Sequence, residues 1–159
     1  MFNHAPPGYV CPFCRVAGGL DCEPPWTTNA DVVFRGDGAT AFVSAKWWAA
    51  APGHVIVIPH AHAENLYDLS HADAAAVHAA ARRVALALRS AVAACAGVST
   101  RQHNEPAGNQ DVWHYHLHVF PRFSGDRLYE RHLETRIASP GERAERAALL
   151  RAALPPASR

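Results

Sequence analysis

The spacing of apolar positions changes several times along this chain, and each change predicts an element. From residue 1 to about residue 29 there is no period, and the segment is rich in Pro, Gly and Cys, so an irregular arm is expected. Asp31 to Ser44 reads as a hairpin, VVF and TAFV flanking a Gly-Asp-Gly turn. Lys46 to Gly53, with Trp47, Trp48 and Pro52, reads as a connection, and HVIVIP (His54 to Pro59) as a short, β-branched, buried strand.

The period turns helical after Ser70. Ala74, Val77, Ala81, Val84, Leu88 and Val92 recur on one face, Ser70 with Asp73 resembles a capping box, and Gly97 is the expected stop. Val98 to Asn104 can form a further strand, EPAGNQ a turn, and DVWHYHLHVF is the most clearly alternating strand of all. Ser139 and Pro140 suit the N-cap and first position of a last helix running to about Ala153. Strands around one long helix predict an α+β fold with a mainly antiparallel sheet. One domain over residues 1–159 is expected, with residues 1–30 as the arm and 130–159 as a C-terminal extension.

Composition narrows the functions. The chain has 159 residues, 18% charged, with a net charge of +1, so no broad field would draw in a nucleic-acid polymer or an anionic membrane. An anionic ligand must then be held locally. No apolar run approaches the roughly 20 residues of a membrane span, and the N-terminus lacks the pattern of a signal peptide. A cytoplasmic, reducing location is expected, in which Cys11, Cys14, Cys22 and Cys95 are metal ligands or buried thiols rather than disulfides.

Eleven histidines are many for this length, and His114, His116 and His118 stand at every second position. Alternation places Val112, His114, His116 and His118 on one face and Trp113, Tyr115, Leu117 and Val119 on the other, the apolar set facing a core. Same-face neighbours are about 6.6 Å apart, so one ion could be gripped by two of the imidazoles but hardly by all three. Three readings stay open on the residues alone: satisfied surface histidines, an HxH metal pair of the cupin sort, and covalent catalysis by the central imidazole. The Cys11-Pro-Phe-Cys14 pair is similarly open between zinc and redox chemistry, although its Pro-rich flanks argue against a thioredoxin-like helix start.

HYHLHVF fits the alternating His-apolar signature of the histidine-triad nucleotide-binding family, and Pro121-Arg122 follows it as is common there. PGHVIVIPHAHAENLYDL and STRQHNEPAGNQDVWH resemble the family in the same order, and SAKWW resembles a bacterial branch of diadenosine-polyphosphate-hydrolase type; the likeness runs from about Cys11 to Tyr129. It implies the fold already predicted, a homodimer and a nucleotidyl hydrolase acting on nucleoside phosphoramidates or dinucleoside polyphosphates. A purine nucleotide-type substrate is expected, and a nucleotide- or metal-binding module with little turnover is the alternative. In its terms His116 attacks the α-phosphorus, the His114 carbonyl holds the other ring nitrogen of His116, and His118 binds phosphate. Asn104, Gln110 and Ser44 fall where the family contacts the nucleotide, although Asn104 and Gln110 equally suit turn structure. Two departures stand out: Asp111 replaces the usual Ser or Thr, and Ser44 occupies the neighbourhood of a ribose-binding Asp. Asp111 would repel a phosphate unless it faces away or pairs with Arg101 or Arg122. Trp47 and Trp48 could stack a base or fill a core. Zinc-binding members imply a structural site of Cys11, Cys14, His62 and His114, with His60 and, more weakly, His54 competing for the third place.

Overall fold

A computed structural model describes residues 4–22 and 26–156; residues 1–3 and 23–25 of the expected arm lie outside the described residues. The elements are α1 (Pro12–Ala17), β1 (Val32–Arg35), β2 (Ala39–Val43), β3 (Lys46–Trp48), β4 (Val55–Pro59), α2 (His71–Ala91), β5 (Gly97–Gln102), β6 (Leu117–Arg122), β7 (Thr135–Ile137) and α3 (Pro140–Ala153). Strands β1-β2-β4-β6-β5 form a five-stranded antiparallel sheet, and β3 with β7 forms a second, two-stranded one. The fold is α+β, as predicted.

Every residue of β2 and β4 is buried because both faces of the sheet are covered there. Ala41, Val43, Val55 and Val57 join Leu117, Val119 and the apolar stripe of α2 in the main core. Their neighbours Phe42, Ile56 and Ile58 turn the other way, against Phe13 and Val16 of α1. The pleat thus sorts one continuous apolar run into two cores. His118 pairs with Ile56 in register and so lies on the α1 side. That side carries the functional residues.

The hairpin, β4, β5 and α3 form where the pattern predicts them, and the α3 cap is a full box between Ser139 and Glu142 behind Pro140. Several details differ. Ser70 accepts from the Asp73 N–H, but its hydroxyl binds the Asp73 carboxylate, so the box is half made. Helix α2 ends at Ala91, not near Gly97, because Val92 and Cys95 turn into the core; Gly97 opens β5. The arm contains a six-residue helix, started by Cys11 as N-cap and Pro12 behind it. The connection at Trp47-Trp48 is a strand, paired residue by residue with β7 of the extension. Helix α3 packs on α2, β1 and β2, and its Arg143 makes a buried 3.0 Å pair with Asp31. No helix among the described residues is long and apolar enough to cross a membrane.

Candidate functional site

Pairing of β4 with β6 stops at Val57 and Leu117, so the alternating stretch is a strand only from Leu117 onward. Before it the chain bends, the His114 N–H meeting the Val112 carbonyl and the Tyr115 N–H that of Ala63. Tyr115, Leu117 and Val119 still anchor the segment in the core. The bend swings His114 away from the other two rings.

His114 donates from Nε2 to the Pro59 carbonyl at 3.1 Å, which leaves the Nδ1 lone pair facing sulfur. Nδ1 stands 3.3 Å from Cys11 Sγ and 3.6 Å from Cys14 Sγ, while His62 Nδ1 stands 3.3 Å from Cys14 Sγ. All four donor atoms lie within 4.8 Å of one another. Ligands bonded to a tetrahedral zinc at about 2.0–2.3 Å would be separated by roughly 3.3–3.8 Å, so this set fits such an ion. Burial pushes the Cys11 thiol up to about 12 and pulls His114 down to about 4; the second keeps the imidazole neutral, as a ligand must be, and a bound cation would oppose the first. His60 is not in the set: its Nε2 meets Thr40 Oγ1 at 3.0 Å.

His116 uses its nitrogens the other way round. Nδ1 donates to the His114 carbonyl at 2.7 Å, leaving the Nε2 lone pair free. The ring is buried against the edge of Phe13, with centroids 5.3 Å apart, and burial keeps it neutral. Nε2 stands 4.0 Å from Asp111 Oδ1, and both residues line a cleft of about 1060 Å³. Asp111 therefore lies on the cleft side while its carboxylate stays exposed, and it does not pair with Arg122, whose guanidinium is held at 2.7 Å by Asp126.

His118 lines the same cleft, its Nδ1 3.3 Å from His54 Nε2 and its ring stacked on Phe120. Burial is the main reason both rings titrate low, His54 at about 3. His54 Nδ1 is buried with no partner among the described residues. An orphaned N–H is rarer in a buried site than an unpaired acceptor, so we assign the proton of His54 to Nε2, donating to His118 Nδ1. His118 then carries its own proton on Nε2.

Of the other expected contacts, Ser44 and Trp48 reach the cleft and Asn104, Gln110 and Trp47 do not. Asn104 holds the Leu66 N–H and pairs with Gln102, and Gln110 bridges the Glu105 N–H and the Val112 carbonyl; neither reaches the cleft wall. Ser44 lines the cleft, but its hydroxyl donates to the Lys46 carbonyl. Trp47 is core, its Nε1 on the Ser44 carbonyl, whereas Trp48 lines the cleft. His103 lines it too, near His118. The sequence pattern does not predict His54 as the partner of His118. The clue was its even spacing with Ile56, but only the strand register connects them.

A model of the HIT domain matches residues 27–125. An uncharacterized HIT-like protein of Saccharolobus solfataricus is 27% identical over 74% of this chain and 77% of its own length. The asymmetrical bis(5′-nucleosyl)-tetraphosphatase of Schizosaccharomyces pombe is 32% identical over 62% of this chain and 52% of its own. Among solved structures, a zinc-bound histidine triad family protein of Mycobacterium smegmatis superposes with a TM-score of 0.72 at 28% identity, covering 90% of this chain and 91% of that one.

Proposed function

The chain belongs to the HIT-domain family, and we propose that it is a hydrolase that cleaves nucleoside phosphoramidates or dinucleoside polyphosphates at the α-phosphorus through a nucleotidyl-His116 intermediate. The observation that carries this reading is the 2.7 Å bond from His116 Nδ1 to the His114 carbonyl. It fixes the tautomer, so the nucleophilic lone pair of a neutral imidazole points into the cleft. Nε2 attacks phosphorus, the bond from phosphorus to the bridging oxygen or amide nitrogen breaks, and its electron pair leaves with that atom, the nitrogen taking up a proton from water to depart as an amine. Water then attacks the same phosphorus, the bond to Nε2 breaks, and a nucleoside monophosphate and a proton are released. His118, with its Nε2 proton, donates to the phosphoryl oxygens as negative charge grows there.

Cys11, Cys14, His62 and His114 would hold a structural zinc ion. With four protein ligands it has no open position for substrate; bound, it ties α1 to the segment ahead of β6 and takes no part in the chemistry. The resemblance of the M. smegmatis protein, which is zinc-bound, supports that choice of metal. A homodimer is part of the same reading. One observation favours a binding module with little turnover as the second reading: the Asp111 carboxylate 4.0 Å from Nε2 would repel the phosphate it must approach.

Incubation with adenosine 5′-phosphoramidate and with diadenosine polyphosphates separates the two readings. Turnover by the wild type, lost on His116→Asn, supports the hydrolase; equal rates in both proteins would sink the mechanism. Binding of AMP without turnover of any of these substrates would support the module.

A further inference from the structure

The cleft extends beyond the triad to a wall that the HIT-domain match does not include. Tyr129 and His132 line it, and both follow residue 125, where the match ends. The wall is firmly built. Asp126 clasps Arg122 through two 2.7 Å bonds and also accepts from the backbone of Phe123 and Leu128. Leu128 is fully buried against Ala50, Ala51 and Phe120, and β7 then pairs with β3. Tyr129 is thereby fixed between two anchors.

Two guanidiniums approach this wall, and they differ. Arg122 lies 5.2 Å from the Tyr129 ring centroid, with its charge matched by Asp126. Arg101, on β5 directly across from His118, lies 5.0 Å from the Trp48 ring and 5.7 Å from that of Tyr129. Among the described residues it has neither a hydrogen-bond acceptor nor a carboxylate partner, and it lines the cleft. Two aromatic faces orient a guanidinium without occupying its N–H donors, which point outward in the plane of the guanidinium itself. An oriented cation with free donors, half-buried beside the phosphate-binding imidazole, suits a planar fork on phosphate oxygens.

We propose that Arg101, held between Trp48 and Tyr129, binds the phosphate chain of the leaving group, which makes dinucleoside polyphosphates rather than phosphoramidates the substrate class. This rests on the reading of the cleft as a nucleotidyl-hydrolase site. When the bond from the α-phosphorus to the bridging oxygen breaks, the electron pair departs on that oxygen and the leaving nucleoside polyphosphate gains negative charge. Arg101 neutralises it. An amine leaving group accepts a proton instead and gains nothing from a cation. Asp111, the one carboxylate among the cleft-lining residues, stands beside His116 rather than at this wall.

The test compares diadenosine triphosphate with adenosine 5′-phosphoramidate in wild type, Arg101→Gln and Arg101→Lys. Arg101→Gln is expected to lower kcat/KM for the dinucleotide by roughly 10- to 100-fold, as for loss of hydrogen bonds to a charged group. Phosphoramidate cleavage should stay within about 2-fold, and Arg101→Lys should recover part of the loss. Equal loss on both substrates, no loss on either, or a wild type that cleaves only the phosphoramidate would overturn the proposal while leaving the hydrolase reading intact. If the wild type cleaves neither substrate, the hydrolase reading itself falls. The subsite is then judged by binding: Arg101→Gln must weaken diadenosine triphosphate but not AMP, and an unchanged ratio of the two affinities overturns it.

Discussion

His114 and His116 are two residues apart and chemically identical, yet they serve opposite purposes. In His114 the Pro59 carbonyl takes the Nε2 proton and Nδ1 turns toward two sulfurs. In His116 the His114 carbonyl takes the Nδ1 proton and Nε2 turns toward the cleft. One backbone oxygen per ring decides which lone pair is available, and therefore whether the imidazole suits a cation or an electrophilic phosphorus. The bend ahead of Leu117 makes this division. In an uninterrupted strand both rings would share one face.

The comparison predicts a double dissociation. His116→Ala should lower turnover by roughly 10³-fold or more, as removal of a nucleophile does, with metal content by elemental analysis unchanged. Cys14→Ser should do the reverse in kind: metal is lost and the thermal midpoint falls. A bound ion present at a thousand times its Kd contributes about 4 kcal/mol, which for a chain of this size is roughly 10 °C. Loss of metal in His116→Ala, or full metal retention in Cys14→Ser, would erase the boundary drawn between the two rings.

A smaller effect tests the relay from His54 to His118. His118→Ala should cost about 10²-fold in kcat, in the range for loss of one donor to developing charge. His54→Ala should act in the same direction through the orientation of His118, and unchanged activity in both would contradict the assigned tautomers.

The histidine pair also makes stability depend on pH. His54 and His118 titrate below the unfolded value of about 6.5, His54 at about 3. The unfolded chain therefore binds protons that the folded chain does not. Stability from these groups is present above pH 6.5 and is lost as pH falls toward 3, at up to about 1.4 kcal/mol per pH unit for each ring. Urea midpoints across that range should show a shallower slope for His54→Gln than for wild type; parallel slopes would contradict the buried neutral pair. The smallest effect belongs to Asp111, which is exposed. Asp111→Asn should tighten AMP by roughly 2- to 5-fold at low salt and less at high salt, as for a screened surface charge.

How much of this was legible in the sequence depended on how local the cause is. The period of α2, the N-cap at Ser139, the Gly-Asp-Gly hairpin and the buried run of β4 are determined within a few residues of themselves, and all are present. Strand β3 is not predicted because the ladder along all three of its residues comes from β7, almost ninety residues on. Helix α1 was missed because Pro and Cys read as irregular until Cys11 is seen to cap it. In the site, regular spacing picked out His114, His116 and His118 and the Cys11/Cys14 pair, and the resemblance added His62 and the joining of His114 to that pair. Asn104 and Gln110 did not come to the cleft, because an amide suits a loop brace as well as a ligand and spacing does not separate the two. The roles of Arg101 and His54 were not legible, because their partners Trp48, Tyr129 and His118 reach them only through strand pairing and the anchored extension.

The claim that His116 attacks phosphorus is tested most directly by trapping the adduct. Wild-type protein mixed with diadenosine triphosphate is quenched in neutral denaturant within the first turnover and mapped by mass spectrometry. One nucleotidyl group per active chain is expected, on His116 and absent from His116→Ala. A wild type that turns over substrate with no adduct at any time, or with the group on another residue, would contradict it.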